Sequence, residues 1–223
     1  MEPDILWTSE QHNELQHEID VVFKAHPGLD DHRVRHPWGL GYLGDPLAKV
    51  WFVAENPSAR QARRARGKTP NEQWNTSRGD KLFRELLVTH GLKIGTADEP
   101  GGWRCYITNV IKSEALAGEW RSLPVAERRE VARWWAPVLK RELQQGRAEI
   151  VVLLGDAAED LLKHLLCHNL VPAPRRLTKV WHYSHVAMRP HGKRSPGDPD
   201  TIREWSAQLA KALEALRGQE DGL

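Results

Sequence analysis

The sequence predicts an α/β fold: a three-layer α/β/α sandwich with a central four-stranded parallel sheet. Three observations carry that expectation. Four short runs rich in β-branched and aromatic residues are spaced along the chain, segments with helical periodicity follow them, and each run stops abruptly on a polar residue or glycine. Strands alternating with helices make a parallel sheet with helices on both faces.

Thr8 and Ser9 offer an N-cap, after which Leu15, Ile19, Val22 and Phe23 recur at helical spacing up to about His26. A Gly-, Pro-, His- and Trp-rich connection, 32–45, leads to the first strand at 49–53, a run apolar enough to be buried on both faces. Pro57 ends it, having no N–H to donate, so Glu55 and Asn56 are presented at the carboxyl end of a buried strand, where open α/β sheets bind ligands. A long polar stretch over 58–78 precedes a helix at 81–90 with Leu82, Phe83, Leu86 and Leu87 on one face. The second strand, 104–110, ends on Asn109. A polar link then reaches Leu123 and Pro124 and a helix to about Gln145, its core face Val131, Trp134, Trp135, Val138 and Leu139, with a kink or break expected at Pro137. The third strand, 149–154, closes on Gly155, with Asp156 placed to cap a helix over 156–168. The fourth, 177–183, delivers His182 and Ser184. A last helix, about 200–216, carries Ile202, Trp205, Leu209, Leu213 and Leu216 ahead of a frayed tail at 217–223. If the four strands are parallel, Glu55, Asn56, Asn109, His182 and Ser184 converge on one edge, a set of residues suited to hydrolysis.

At 223 residues the chain is expected to form one domain, 1–223. Its 40% hydrophobic and 28% charged content is that of a globular protein, and a net charge of only +2 confines any nucleic-acid affinity to a local patch. The first residues show neither a basic start nor an apolar core of a signal peptide, and no apolar run approaches the roughly 20 residues of a membrane helix. The two cysteines, Cys105 and Cys167, suit a reducing compartment and are too few for a four-thiolate cluster, so a cytoplasmic location is expected. Ten tryptophans serve mainly a core, although an indole face also stacks on nucleobases. A single glycine in LLGDAAEDLL falls short of a dinucleotide-binding turn, and His164, Cys167 and His168 lack an evident fourth zinc ligand.

The segments VWFVAENPS, CYITNVIK, EIVVLLGDAAEDLL and WHYSHVAMR occur in the order of four blocks of the uracil-DNA glycosylase superfamily, which the chain resembles from Val50 to Arg189. The first is similar to the GEAPG signature of the iron–sulfur members and to the GINPG signature of the mismatch-specific members, the second to YITNVVK, the last to an HPS-type motif. The sequence departs from these patterns at Ala54 and Ser58, which replace both glycines, at Tyr183, which replaces the proline, and at Ser113, which stands where iron–sulfur members place a cysteine. The resemblance therefore implies a glycosylase with no cofactor, acting on DNA, single- or double-stranded, as a monomer without an obligate protein partner or membrane.

Such enzymes extrude a base, read its edge and stack it on an aromatic face. Bond cleavage builds positive charge on the sugar and negative charge on the base, so the site needs a held water and a donor to the base. His182 suits the donor, and Asn56 or Glu55 the water; the GINPG likeness favours Asn56 and the GEAPG likeness Glu55. Asn109 offers a donor and an acceptor to a pyrimidine edge, with Tyr183 beside it in the substrate-binding set, and Trp74 is the best-placed stacking ring. Ser58 and Ser184 suit the phosphates flanking the extruded nucleotide, and Arg60, Arg63, Arg64, Lys112 and Arg189 the DNA backbone, with Arg66 and Lys68 extending the first run. Val186, Ala187 and Met188, followed by Arg189, His191, Lys193 and Arg194, suit a wedge filling the gap in the duplex. Each has a plainer reading: a strand-end histidine satisfied by backbone, turn asparagines, a core tryptophan, a solvated charged face, a helix start. Two functional alternatives stand beside the glycosylase: a catalytically silent DNA-binding module of the same fold, and a hydrolase of free nucleosides or nucleotides.

Overall fold

The computed structural model describes residues 8–29, 43–58, 78–99, 101–113, 117–184 and 198–220. Five strands, β1 (Leu43–Gly44), β2 (Val50–Ala54), β3 (Tyr106–Asn109), β4 (Ile150–Leu154) and β5 (Arg176–Val180), form one sheet in the order β1-β3-β2-β4-β5. The four expected strands are parallel to their neighbours, and β1 adds a short antiparallel edge that the sequence pattern did not reveal. Two residues are too few for a periodic signal. Gly44 permits the pairing: at φ +102° it lies where a Cβ would sit 2.2 Å from the Cys105 carbonyl oxygen.

The helices are α1 (Ser9–Ala25), α2 (Arg78–Thr89), α3 (Ala117–Ser122), α4 (Val125–Gln145), α5 (Asp156–Cys167) and α6 (Pro199–Glu220). Alternation along the strands sorts them into two layers. Trp51, Val53, Tyr106, Val151 and Leu153 pack with α1, α4 and α5 on one face; Phe52, Ile107, Val152, Leu154 and Val180 pack with α2 and α6 on the other. β2 and β4, wholly buried, form the centre, which is why their sequences are unbroken apolar runs.

Local signals explain the starts of α1 and α6. Thr8 and Gln11 form a reciprocal capping box on α1. Asp198 accepts from the backbone and hydroxyl of Thr201, starting α6 with Pro199 in its first turn. Four expectations need correction. Pro137 does not break α4: the exposed proline lies between buried Ala136 and Val138, and the apolar stripe continues past it to Leu139. Asp156 does not cap α5; Gly155 holds that position, and the Asp156 carboxylate pairs with Lys179 instead. α3 occupies part of what reads as a polar link, and α6 runs on to Glu220 through residues expected to fray. Among the described residues, no helix is long and apolar enough to cross a membrane.

Candidate functional site at the carboxyl edge of the sheet

Register brings the motif ends together. Val53 of β2 and Lys179 of β5 both lie opposite Leu153 of β4, so they are level across two strand spacings, about 10 Å. Asn56 follows Val53 by three residues, and His182 follows Lys179 by three, so both leave the same edge at the same height. Asn109 closes β3 opposite Ala54. Beyond the paired residues, Val110 N–H donates to the Ala54 carbonyl (2.9 Å) and Ile111 N–H to that of Glu55 (3.0 Å), so the end of β3 braces the turn that carries Asn56.

Glu55 and Asn56 face different tasks. The Glu55 carboxylate accepts from the Trp120 indole at 2.6 Å and lies 3.5 Å from the Arg128 guanidinium. It thus ties α3 and the first turns of α4 to the motif. Asn56, half-buried, donates from Nδ2 to the Pro57 carbonyl at 3.1 Å, an orientation that fixes Oδ1 as the acceptor end of the amide. Neither Trp120, in a segment without periodicity, nor Arg128, one of several helix arginines, carried a sequence signal for this contact.

His182 is held on three sides. The Ser184 backbone N–H points at its Nδ1 (3.2 Å), and the Ser184 hydroxyl lies 2.7 Å from the same atom. A backbone N–H can only donate, so Nδ1 accepts and the neutral ring carries its proton on Nε2. Tyr183 stacks on the imidazole. On its backbone side, Gly155 adopts φ 89°, ψ 172°, and a Cβ there would approach the His182 Cβ to 3.1 Å. That glycine belongs to the site, and its place between a buried strand and a helix was the available signal.

The other expected residues divide. Asn109 is buried at the strand end, and Ser58 is half-buried. The Ser184 hydroxyl, expected at a phosphate, is committed to His182. Tyr183 does not line a surface for substrate; it is 6% exposed within the α2–α6 core, where burial and the Asp80 carboxylate push its hydroxyl well above the usual phenol range. Lys112 is not a DNA-backbone contact. Its ammonium is fully enclosed, 2.5 Å from Glu142 Oε2 and bonded to Thr108, because the two residues after Asn109 continue inward between β3 and α4. Desolvation lowers its pKa, opposed by Glu142. Trp74, Arg60, Arg63, Arg64, Arg66, Lys68, Val186, Ala187, Met188, Arg189, His191, Lys193 and Arg194 lie outside the described residues.

An iron–sulfur cluster does not fit this chain. Its two cysteines sit apart, Cys105 buried among apolar groups that push its thiol pKa up and Cys167 exposed at the end of α5, and four thiolates are required. Among the described residues no group of His, Cys, Asp and Glu could hold a metal ion. His164 instead accepts from Arg133 at 3.0 Å, and His168 bonds the His164 carbonyl.

A three-layer α/β/α protein with an amide, an imidazole and a buried asparagine at the carboxyl edge of its sheet is of the class of open α/β proteins that place ligands at that edge. Residues 41–213 match the family model described as the uracil DNA glycosylase superfamily. The chain belongs to that superfamily, whose membership points to DNA glycosylase-type activity and to DNA as the partner. A comparison with curated proteins finds no match.

Proposed function

We propose that the protein is a monofunctional DNA glycosylase that hydrolyses the N-glycosidic bond of an extruded uracil-like, damaged or modified base, leaving an abasic site, in repair or in defence against modified foreign DNA. The observation that carries this reading is the pairing, on one sheet edge, of an amide with its oxygen as acceptor and an imidazole with its proton on Nε2. Asn56 Oδ1 accepts from a water beneath the sugar. The water oxygen bonds to the anomeric carbon as the bond to the base breaks and leaves its electron pair on the base. His182 Nε2–H donates to a base oxygen as that charge grows, and the water proton goes finally to the base. One such fixed donor contributes about 3 kcal/mol in a dry site.

The engagement of Glu55 with Trp120 and Arg128 favours Asn56 over Glu55 as the water-holding residue. The enclosure of Lys112 supports a mechanism without a Schiff base or strand cleavage. Two free cysteines suit a reducing compartment, in keeping with a cytoplasmic location, and a monomeric state belongs to the same proposal. Trp74 as stacking platform, and the 60–68 and 186–194 cations and wedge at the DNA, belong to the same proposal.

The test is mass spectrometry of bases released from uracil-containing, mismatched and naturally modified DNA. Wild type should release one of them, with Asn56→Ala and His182→Ala each slower by about 100-fold or more. If both variants match wild type, the residue roles are wrong. Oligonucleotide binding that weakens steeply with salt, with no abasic product from any substrate, identifies instead a silent DNA-binding module.

A further inference from the structure

The chain leaves the two central strands in opposite directions, from β2 towards β3 on one side and from β4 towards β5 on the other. Between their carboxyl ends lies the crevice at which open α/β sheets take their ligands. Glu55 and Asn56 follow β2 on one wall, and Gly155 and α5 follow β4 on the other. Arg128, the fourth residue of α4, reaches both walls. Its guanidinium lies 3.5 Å from Glu55 Oε1, and its charge acts on Asp160 in the second turn of α5.

That guanidinium is poorly satisfied. It carries five N–H donors. Among the described residues its Nε is enclosed without a hydrogen-bond partner, and Nη1 approaches Glu55 only to 3.5 Å. Both neighbouring carboxylates are committed to other groups. Glu55 Oε1 takes the Trp120 indole at 2.6 Å, and the two Asp160 oxygens take Nε and Nη2 of Arg129. Yet the Arg128 side chain is still 21% exposed and that of Glu55 18%, so solvent reaches the pair. Unmet guanidinium donors, open to solvent at a ligand crevice, suit an anion with oxygens at the spacing of the fork.

Resting on the glycosylase reading, we infer that Arg128 binds a phosphodiester of the DNA strand whose nucleotide is turned into the cleft. The planar fork donates to phosphate oxygens, which a lysine at the same place could meet only as a point charge. Glu55 keeps the fork oriented before DNA arrives, at a distance that leaves its donors unfilled. The plainer role is that of a counter-ion to Glu55 alone.

The test is binding of uracil-containing oligonucleotides, duplex and single-stranded, to the full chain by fluorescence anisotropy across salt concentrations. Arg128→Gln should weaken binding roughly 10-fold at low salt. It should also reduce the slope of log affinity against log salt by about 0.9 on duplex or about 0.7 on single strands. The substitution also leaves Glu55 without its counter-charge, so it is repeated in a Glu55→Gln background, which serves too if the single variant does not fold. A phosphate contact lowers the slope equally in both backgrounds. A counter-ion for Glu55 leaves slope and affinity unchanged in the second, which overturns the inference. Arg141→Gln removes the same charge from the same helix about 20 Å away, where Arg141 pairs with Glu14 and Glu18, and should leave the slope unchanged. An equal fall there overturns the inference, as does a wild type without DNA affinity. So does deoxyuridine monophosphate binding that Arg128→Gln abolishes while the oligonucleotide slopes stay unchanged, since the anion is then a free nucleotide. Binding needs no turnover. A slope that depends on Arg128 in a protein releasing no base from any substrate supports the contact and refutes the glycosylase reading; base release with unchanged slopes does the reverse.

Discussion

Replacing Lys112 with alanine distinguishes a buried strut from a DNA contact. Glu142 lies wholly buried, receiving the hydroxyls of Tyr106 at 2.8 Å and Thr108 at 2.9 Å on one oxygen and the Lys112 ammonium on the other. Lys112→Ala keeps both hydroxyl bonds but strands a carboxylate away from water, which costs about 3–5 kcal/mol. For a chain of this size that is a fall in Tm of roughly 6–20 °C. Lys112→Met combined with Glu142→Leu removes both charges and leaves two hydroxyls without their acceptor, at about 1–3 kcal/mol each. The double variant should therefore lose about 2–6 kcal/mol, a range that overlaps the loss in Lys112→Ala and does not add a second buried-charge penalty to it, a strongly non-additive pair. Urea unfolding followed by fluorescence gives the free energies, and DNA binding against salt gives the alternative. The reasoning fails if Lys112→Ala loses under 1 kcal/mol while the slope of log affinity against log salt falls by about one, as loss of a phosphate contact requires.

Three further outcomes follow from the site and its surroundings. Gly155→Ala places a side chain at φ 89°, ψ 172°, a region costing about 1–3 kcal/mol, and against His182; base release should fall further than the shift in unfolding midpoint accounts for. Glu55→Gln keeps an acceptor for the Trp120 indole and should retain base release within about tenfold, whereas a loss equal to that of Asn56→Ala makes Glu55 the general base. Burial first, then His168, Arg133 and Arg129, lower the His164 pKa, with Asp160 opposing. The folded state then binds fewer protons there than the unfolded chain, so stability is held above the ordinary histidine value of about 6.5 and lost as pH falls through the lowered one. Urea midpoints between about pH 5 and pH 8 should show that slope, reduced in His164→Gln.

The central strand cores were legible because fully buried parallel strands must be unbroken apolar runs, and Pro57 and Gly155 mark where β2 and β4 end. From this the sequence by itself determined the α/β layering and the edge on which Asn56, Asn109 and His182 emerge. What each polar group does at that edge was decided by tertiary structure. Lys112 and Tyr183 occupy motif positions that read as exposed, yet neighbours distant in sequence, Glu142 and Asp80, enclose them. Glu55 and Asn56 are adjacent and chemically alike on paper, and only the arrival of Trp120 and Arg128 separates them. Local pattern reports which residues must be buried; the partner that a buried charge or hydroxyl requires is supplied across the fold, where no short-range periodicity records it.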